Sequence, residues 1–224
     1  MNDILDYLKA LEENNTREWY HANKDMYERA NRNFEEMIQK LIYEIGKTDD
    51  SVLPYSPKEL TFKLVRDTRF SHDKSPYNPS FRAHMASCGK LPIPVGYYMM
   101  IKPGNRSFLG GGLFADMFKD ATDRIRSHIA GHSSEWTQIM NSEDFLKYFT
   151  VCGSVLKNVP RGYDESHPQA AYLKHKSWYM EYPVSDEMLQ SDDFISFAGE
   201  IFRAMQPFNA FLNRGLAGFV MPAR

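Results

Sequence analysis

The sequence predicts an α+β fold, a single domain over 1–224 in which an antiparallel β-sheet is flanked by N-terminal, middle and C-terminal helices. Three observations predict it. Apolar residues recur at helical spacing near both ends and in the middle of the chain. Between those stretches they alternate with period two, and the alternating segments are joined by short connections rich in Pro, Gly and Asn. Such connections suit antiparallel neighbours, because parallel strands need a long crossover. No linker composition, repeat or low-complexity stretch divides the 224 residues, a length that one core can serve.

Taken in order, Ile4, Leu5, Leu8 and Leu11 form a first helical stripe, broken at Asn14-Asn15. Asn15 with Glu18 has the form of a capping box and starts a second helix. From Asn23 the residues Tyr27, Ala30, Phe34, Met37, Ile38, Leu41 and Ile45 share one face, and Gly46 is placed to end that helix. Pro54 and Pro57 mark a loop, after which Leu60, Phe62 and Leu64 alternate with Thr61, Lys63 and Val65 as a strand. Phe81–Ser87 and Val95–Lys102 are further strands, and Arg106–Leu109 is a fourth, ending before the run Gly110-Gly111-Gly112. Phe118, Ala121, Ile125 and Ile129 mark a helix ending at Gly131, and Ser142 caps a short one through Phe149. Val151–Lys157 and Ser177–Tyr182 read as extended, with His167-Pro168 opening a short helix between them. Ser191-Asp192-Asp193 opens the last helix, whose wide apolar face runs from Phe194 to Leu212 and which Pro207 is expected to kink.

Composition excludes several function classes. Lys and Arg number 27 against 29 Asp and Glu, a net charge of -2, so no global basic field exists and nucleic acid is an unfavoured partner. No apolar run approaches the roughly 20 residues of a membrane helix, and Met1-Asn2-Asp3-Ile4 lacks a secretion pattern. A cytoplasmic location without membrane partners is expected. Cys88 and Cys152 form no Cys-x-x-Cys pair, so neither a disulfide scaffold nor a thiolate metal site is indicated.

Positive charge is instead local. Seven Lys and Arg against three Asp and Glu lie between Lys58 and Lys90, whereas the first fifty residues carry seven against twelve. Alternation aims Arg66 toward the core with Phe62 and Leu64, where its donor fork needs carboxylates, carbonyls or an anion. If the chain turns after Asp67, then Arg66, Arg69, Asp73, Lys74 and Tyr77 converge into a pocket suited to phosphate or carboxylate. Asp67 would orient the arginines or act as a base, and the leading expectation is a domain with an anion-binding pocket, open to being an enzyme on a small anionic metabolite. Two alternatives stand beside it: a purely structural ion-pair network, and a noncatalytic module that docks an acidic protein surface or a nucleic-acid backbone.

The spacing Arg66-Asp67-x-Arg69-Phe70, then Asp73-Lys74-x-x-Tyr77, with Lys63 three residues upstream, resembles the signature of a bacterial family known as domain of unknown function 2461. Asn14-Asn15, Arg17-Glu18-Trp19-Tyr20, Asn23-Lys24, Phe108 to Leu113, Gly162-Tyr163-Asp164 and His167-Pro168 carry the same resemblance along most of the chain. It departs at Lys63, where arginine is expected, and at Ala115-Asp116, where a proline is. The resemblance implies an α+β domain and brings no activity with it.

The remaining candidates are weaker. Gly110, Gly111 and Gly112 precede a helix, so their amides could receive an anion, although a simple turn is the plainer reading. They match neither a P-loop nor a dinucleotide fingerprint, and no cofactor is indicated. His72, Asp73, His84 and His167 are metal-capable side chains, but none of these histidines has a second one four residues away, so no metal is expected. His167 is a secondary candidate base because imidazole titrates near neutrality. No nucleophile elbow supports serine hydrolysis.

Overall fold

Four strands, β1 (Phe81–Met85), β2 (Tyr97–Ile101), β3 (Ser107–Leu113) and β4 (Trp178–Val184), form an antiparallel sheet in the order β1-β2-β3-β4 in the computed structural model, which describes residues 2–114 and 118–222. Each strand alternates, so one face of the sheet carries Phe81, Ala83, Tyr97, Met99, Leu109, Leu113, Trp178 and Met180, all buried. Helices cover that face: α1 (Asn2–Glu13), α3 (Lys24–Gly46) and α10 (Phe194–Gly215) form the main block. The helices α5 (Lys119–Gly131), α6 (Ser133–Met140) and α7 (Glu143–Tyr148) extend it. The predicted stripe of α3 is the buried one, from Ala30 and Phe34 to Ile45. That of α10 buries Phe194, Ile201, Phe202, Met205, Phe208, Phe211 and Leu212, and the helix runs through Pro207. Among the described residues no helix is long and apolar enough to cross a membrane.

Short helices punctuate the connections. They are α2 (Arg17–Ala22), α4 (Pro57–Leu60), α8 (Ala170–Leu173) and α9 (Asp186–Gln190), with a 3-10 turn at Asp50–Val52. Arg126 on α5 is buried and donates to the carbonyls of Leu173 (3.0 Å) and His175 (2.8 Å), holding the approach to β4 in place. The segment before α8 meets the outer edge of β4 where Cys152 pairs with Tyr179, and Val155 pairs with His175 ahead of that strand. Extended chain is thus present within Val151–Lys157, but as isolated bridges.

Four local expectations are corrected. Leu60–Val65 is not a strand: Ser56 and Glu59 form a capping box, which draws Leu60 into α4. Beyond Leu60 the chain touches the outer edge of β1 at the Thr61–Ala83 bridge and through the Phe62 amide, which donates to the Arg82 carbonyl (3.0 Å). The cap of α2 is Thr16, whose hydroxyl accepts from the Trp19 amide, while Asn15 bonds to the backbone of Tyr77 instead. Gly46 is the last helical residue of α3 and Lys47 its C-cap. Gly110–Gly112 is neither a turn nor a helix entrance but the middle of β3, because β2 and β4 pair with it from both sides. The departure at Ala115-Asp116 lies outside the described residues.

Candidate functional site

The second face of the sheet is not covered by a helix of the main block, and its residues can be read from the register. Arg82, Met100, Phe108 and Pro183 form one row across the four strands. His84, Tyr98, Gly110 and Glu181 form the next. With no side chain on Gly110, that row has a gap between Tyr98 and Glu181. The gap opens into a cavity of about 460 Å³ floored by Gly96 and Gly110–Gly112. Its walls are Phe62, His84, Lys90, Pro92, Tyr98 and Phe108 on one side and Phe114, Tyr179 and Glu181 on the other. Tyr98 stacks on Phe108 (centroids 5.7 Å apart, 25° between planes), and Phe114 lies on Tyr179 at 4.4 Å.

The floor is held from beneath by the last helix. Asn209 is buried and donates to the Gly96 carbonyl (3.0 Å). Asn213, one turn on, accepts from the Val95 amide (2.8 Å) and donates to its carbonyl (3.0 Å). These amides take the place of a neighbouring strand for the chain entering β2. Gly111 admits the helix closely, since a β-carbon there would lie 3.1 Å from the Met205 sulfur.

The polar groups of the cavity differ in how they are used. Lys90 donates to the Thr61 carbonyl (3.0 Å) and sits 6.0 Å above the Phe62 ring. Arg82 packs on the same ring at 5.4 Å. Burial pushes the Tyr98 hydroxyl up, with Arg82 pulling it down. Glu181 has no ion-pair partner among the described residues, and loss of hydration beside the aromatic walls raises its carboxyl above the ordinary range.

His84 is 8% exposed. Loss of hydration lowers its imidazole to about 4, and hydrogen bonds with the Lys90 and Leu91 backbone offset this only in part. Unfolding restores the ordinary value near 6.5, so the unfolded chain takes up the proton first as the pH falls. The stabilisation is therefore complete above pH ~6.5 and declines from there toward 4, by about 2 kcal/mol between pH 7 and 5. His84→Gln is expected to remove this share of the pH dependence, read from urea unfolding at the two pH values. An unchanged dependence would show that the imidazole is not buried in its neutral form.

The basic segment lies elsewhere. Arg66, 27% exposed at its side chain, does not enter the core: it pairs with Asp73 and reaches the Ser71 hydroxyl (3.3 Å). The segment is irregular here, so strand alternation does not set its direction. Arg69, 78% exposed, holds Asp67 in a fork of 2.9 and 2.6 Å. Lys74 donates to the Thr68 carbonyl (3.0 Å). The Asp67 carboxyl is held low by Arg69, and that of Asp73 by Ser75 and then by Arg66. Tyr77 is buried and stacks on Tyr20 at 4.3 Å. Asn15 clamps its backbone, accepting from the Tyr77 amide (3.1 Å) and donating to its carbonyl (2.9 Å). The arginines, Asp67, Asp73 and Lys74 thus lie along one loop, each tied to a near neighbour, and none lines the cavity.

His167 accepts from the Gln169 amide through Nδ1 (3.0 Å) at the entrance to α8, also away from the cavity. Of the residues singled out by sequence, Gly110, Gly111 and Gly112 line the cavity, as does His84, weighed above only as a metal-capable side chain. Glu181, Phe108 and Tyr179 were missed, although the alternation Tyr179, Glu181 against Trp178, Met180 already separates the two faces of β4. Also missed was a histidine pair at helical spacing, His128 on α5 and His132 at its C-terminal end, whose rings lie 4.2 Å apart.

A family model described as "Conserved hypothetical protein (DUF2461)" matches residues 3–211. No curated protein and no solved structure matches the chain.

Proposed function

Because the chain belongs to the DUF2461 family, whose description carries no activity, we propose its function from the open face of the sheet: it binds a small, largely apolar organic molecule over the glycine floor of β3. One observation carries this reading. Three successive glycines leave bare backbone beneath a cavity of about 460 Å³ that is walled by aromatic rings and lined by a carboxylate, Glu181, without an ion-pair partner among the described residues. Cavities of this size, mostly apolar with a few placed polar groups, are the usual form of small-molecule sites. The rings supply stacking area at little cost in ordering.

This reading favours the open face over the basic loop as the binding site. The loop cations are already matched by Asp67, Asp73 and a carbonyl, so an anion would have to displace contacts that exist. In this proposal the loop is a structural ion-pair network. Nucleic acid is disfavoured by the net charge of -2 and by a carboxylate at the cavity. A cytoplasmic setting agrees with two free thiols, Cys88 being exposed.

The test is a ligand-observed NMR screen of small ring compounds. Gly110→Val places a branched side chain on the floor, and Phe114→Ala removes an exposed wall ring without entering the core. Compounds that bind the wild type are expected to be lost with Gly110→Val. Phe114→Ala is expected to weaken them about three- to tenfold, the range of one stacked ring pair. Hits that bind both variants as they bind the wild type would place the site elsewhere.

A further inference from the structure

The row His84, Tyr98, Gly110 and Glu181 says more about the ligand than its size. Tyr98 on β2 and Glu181 on β4 flank Gly110 at two strand spacings, about 10 Å between their backbones. A flat ring fits a slot bounded in this way, whereas a branched aliphatic body would leave the aromatic walls poorly covered. The ring pairs Tyr98–Phe108 and Phe114–Tyr179 stand on either side of the slot.

The lining of the slot carries one ammonium, Lys90, and one carboxylate, Glu181. Lys90 donates to the Thr61 carbonyl and lies over the Phe62 face, while Arg82, outside the lining, packs on that same ring and reaches the Lys63 carbonyl (3.4 Å), its Nε buried without a hydrogen-bond partner among the described residues. Glu181 has neither an ion pair nor a side-chain hydrogen bond among the described residues, and it is not on a helix whose dipole could compensate it. An ionised carboxylate only accepts, and its two oxygens suit a planar fork of two N–H donors. A neighbouring carboxylate also repels an anionic ligand.

We propose that the ligand is a planar nitrogen heterocycle that presents two N–H donors along one edge, with its ring over Gly110 between the aromatic walls and its donor edge on the Glu181 carboxylate. This rests on the open face being the binding site, as proposed above. Glu181 is here a specificity-determining residue for ligand binding, and no reaction is implied. Its position on the solvent side of β4 means that Glu181→Gln removes the charge and one acceptor without touching the core.

Two probes of similar shape isolate the role of the donor edge. 2-Aminobenzimidazole presents forked N–H donors, and 2-methylbenzoxazole presents none. Titration calorimetry would compare them on the wild type, Glu181→Gln, Gly110→Val and Phe114→Ala, with folding of each variant checked by thermal melting. The wild type is expected to prefer aminobenzimidazole by about tenfold or more, the value of one or two charged hydrogen bonds. Glu181→Gln should abolish that preference and leave the methylbenzoxazole affinity as it was. A preference that survives in Glu181→Gln, or is missing from the wild type, overturns the donor-edge inference while leaving the cavity reading intact. If Gly110→Val and Phe114→Ala bind both probes as tightly as the wild type does, or if neither probe binds the wild type at millimolar concentration, the inference falls together with its premise.

Discussion

Gly112→Ala is expected to lower the folding stability by about 4 kcal/mol, the sum of a strained backbone conformation and an overpacked contact. Gly112 has φ +97°, a region that side chains rarely enter. A β-carbon there would run into the Trp178 carbonyl oxygen and lie 2.7 Å from the Tyr179 α-carbon. Both are main-chain atoms of β4, so no side-chain rotation relieves the contact, and the β3–β4 pairing itself must give. Gly131→Ala is the control, since nothing lies within 4 Å of the position where its β-carbon would sit. Urea unfolding should separate the two variants clearly. Similar losses in both, or none in either, would show that the conformation at Gly112 is not what fixes the strand pair.

The second large effect is expected from Asn213→Ala, about 3 kcal/mol, because it leaves both main-chain groups of Val95 without their partners. The consequence is local as well as global. Val95 leads directly into Gly96, part of the cavity floor, so the Val95 amide should exchange its hydrogen much faster in the variant while the β3 amides keep most of their protection. Unchanged exchange at Val95 would count against the clamp.

Much of the fold was legible because it depends on local patterning. The stripes of α3 and α10 and the alternation of β1, β2 and β4 each follow from how a regular element presents one face to a core. The misreadings arose where the deciding contact is distant. Gly110–Gly112 carries no alternation to read, and only its partners on both sides make it a strand. Leu60–Val65 alternates, but the Ser56–Glu59 box governs its start and the sheet edge meets it only at Thr61 and Phe62. The candidate site was less legible still. The basic loop is conspicuous in sequence because its charges are adjacent, and for that same reason they satisfy one another. Glu181 meets Tyr98 only through the register of β3 between them, which no spacing within β4 discloses.

Asn209 and Asn213 hold only peptide groups, those of Gly96 and Val95, so the burden of inheritance falls on one side of each pair. A change of side chain at position 95 leaves the clamp from Asn213 in place, provided that the residue keeps its amide hydrogen, while position 213 must remain a carboxamide. The backbone entering the cavity floor is therefore held through side chains of the last helix, whatever apolar residue occupies position 95.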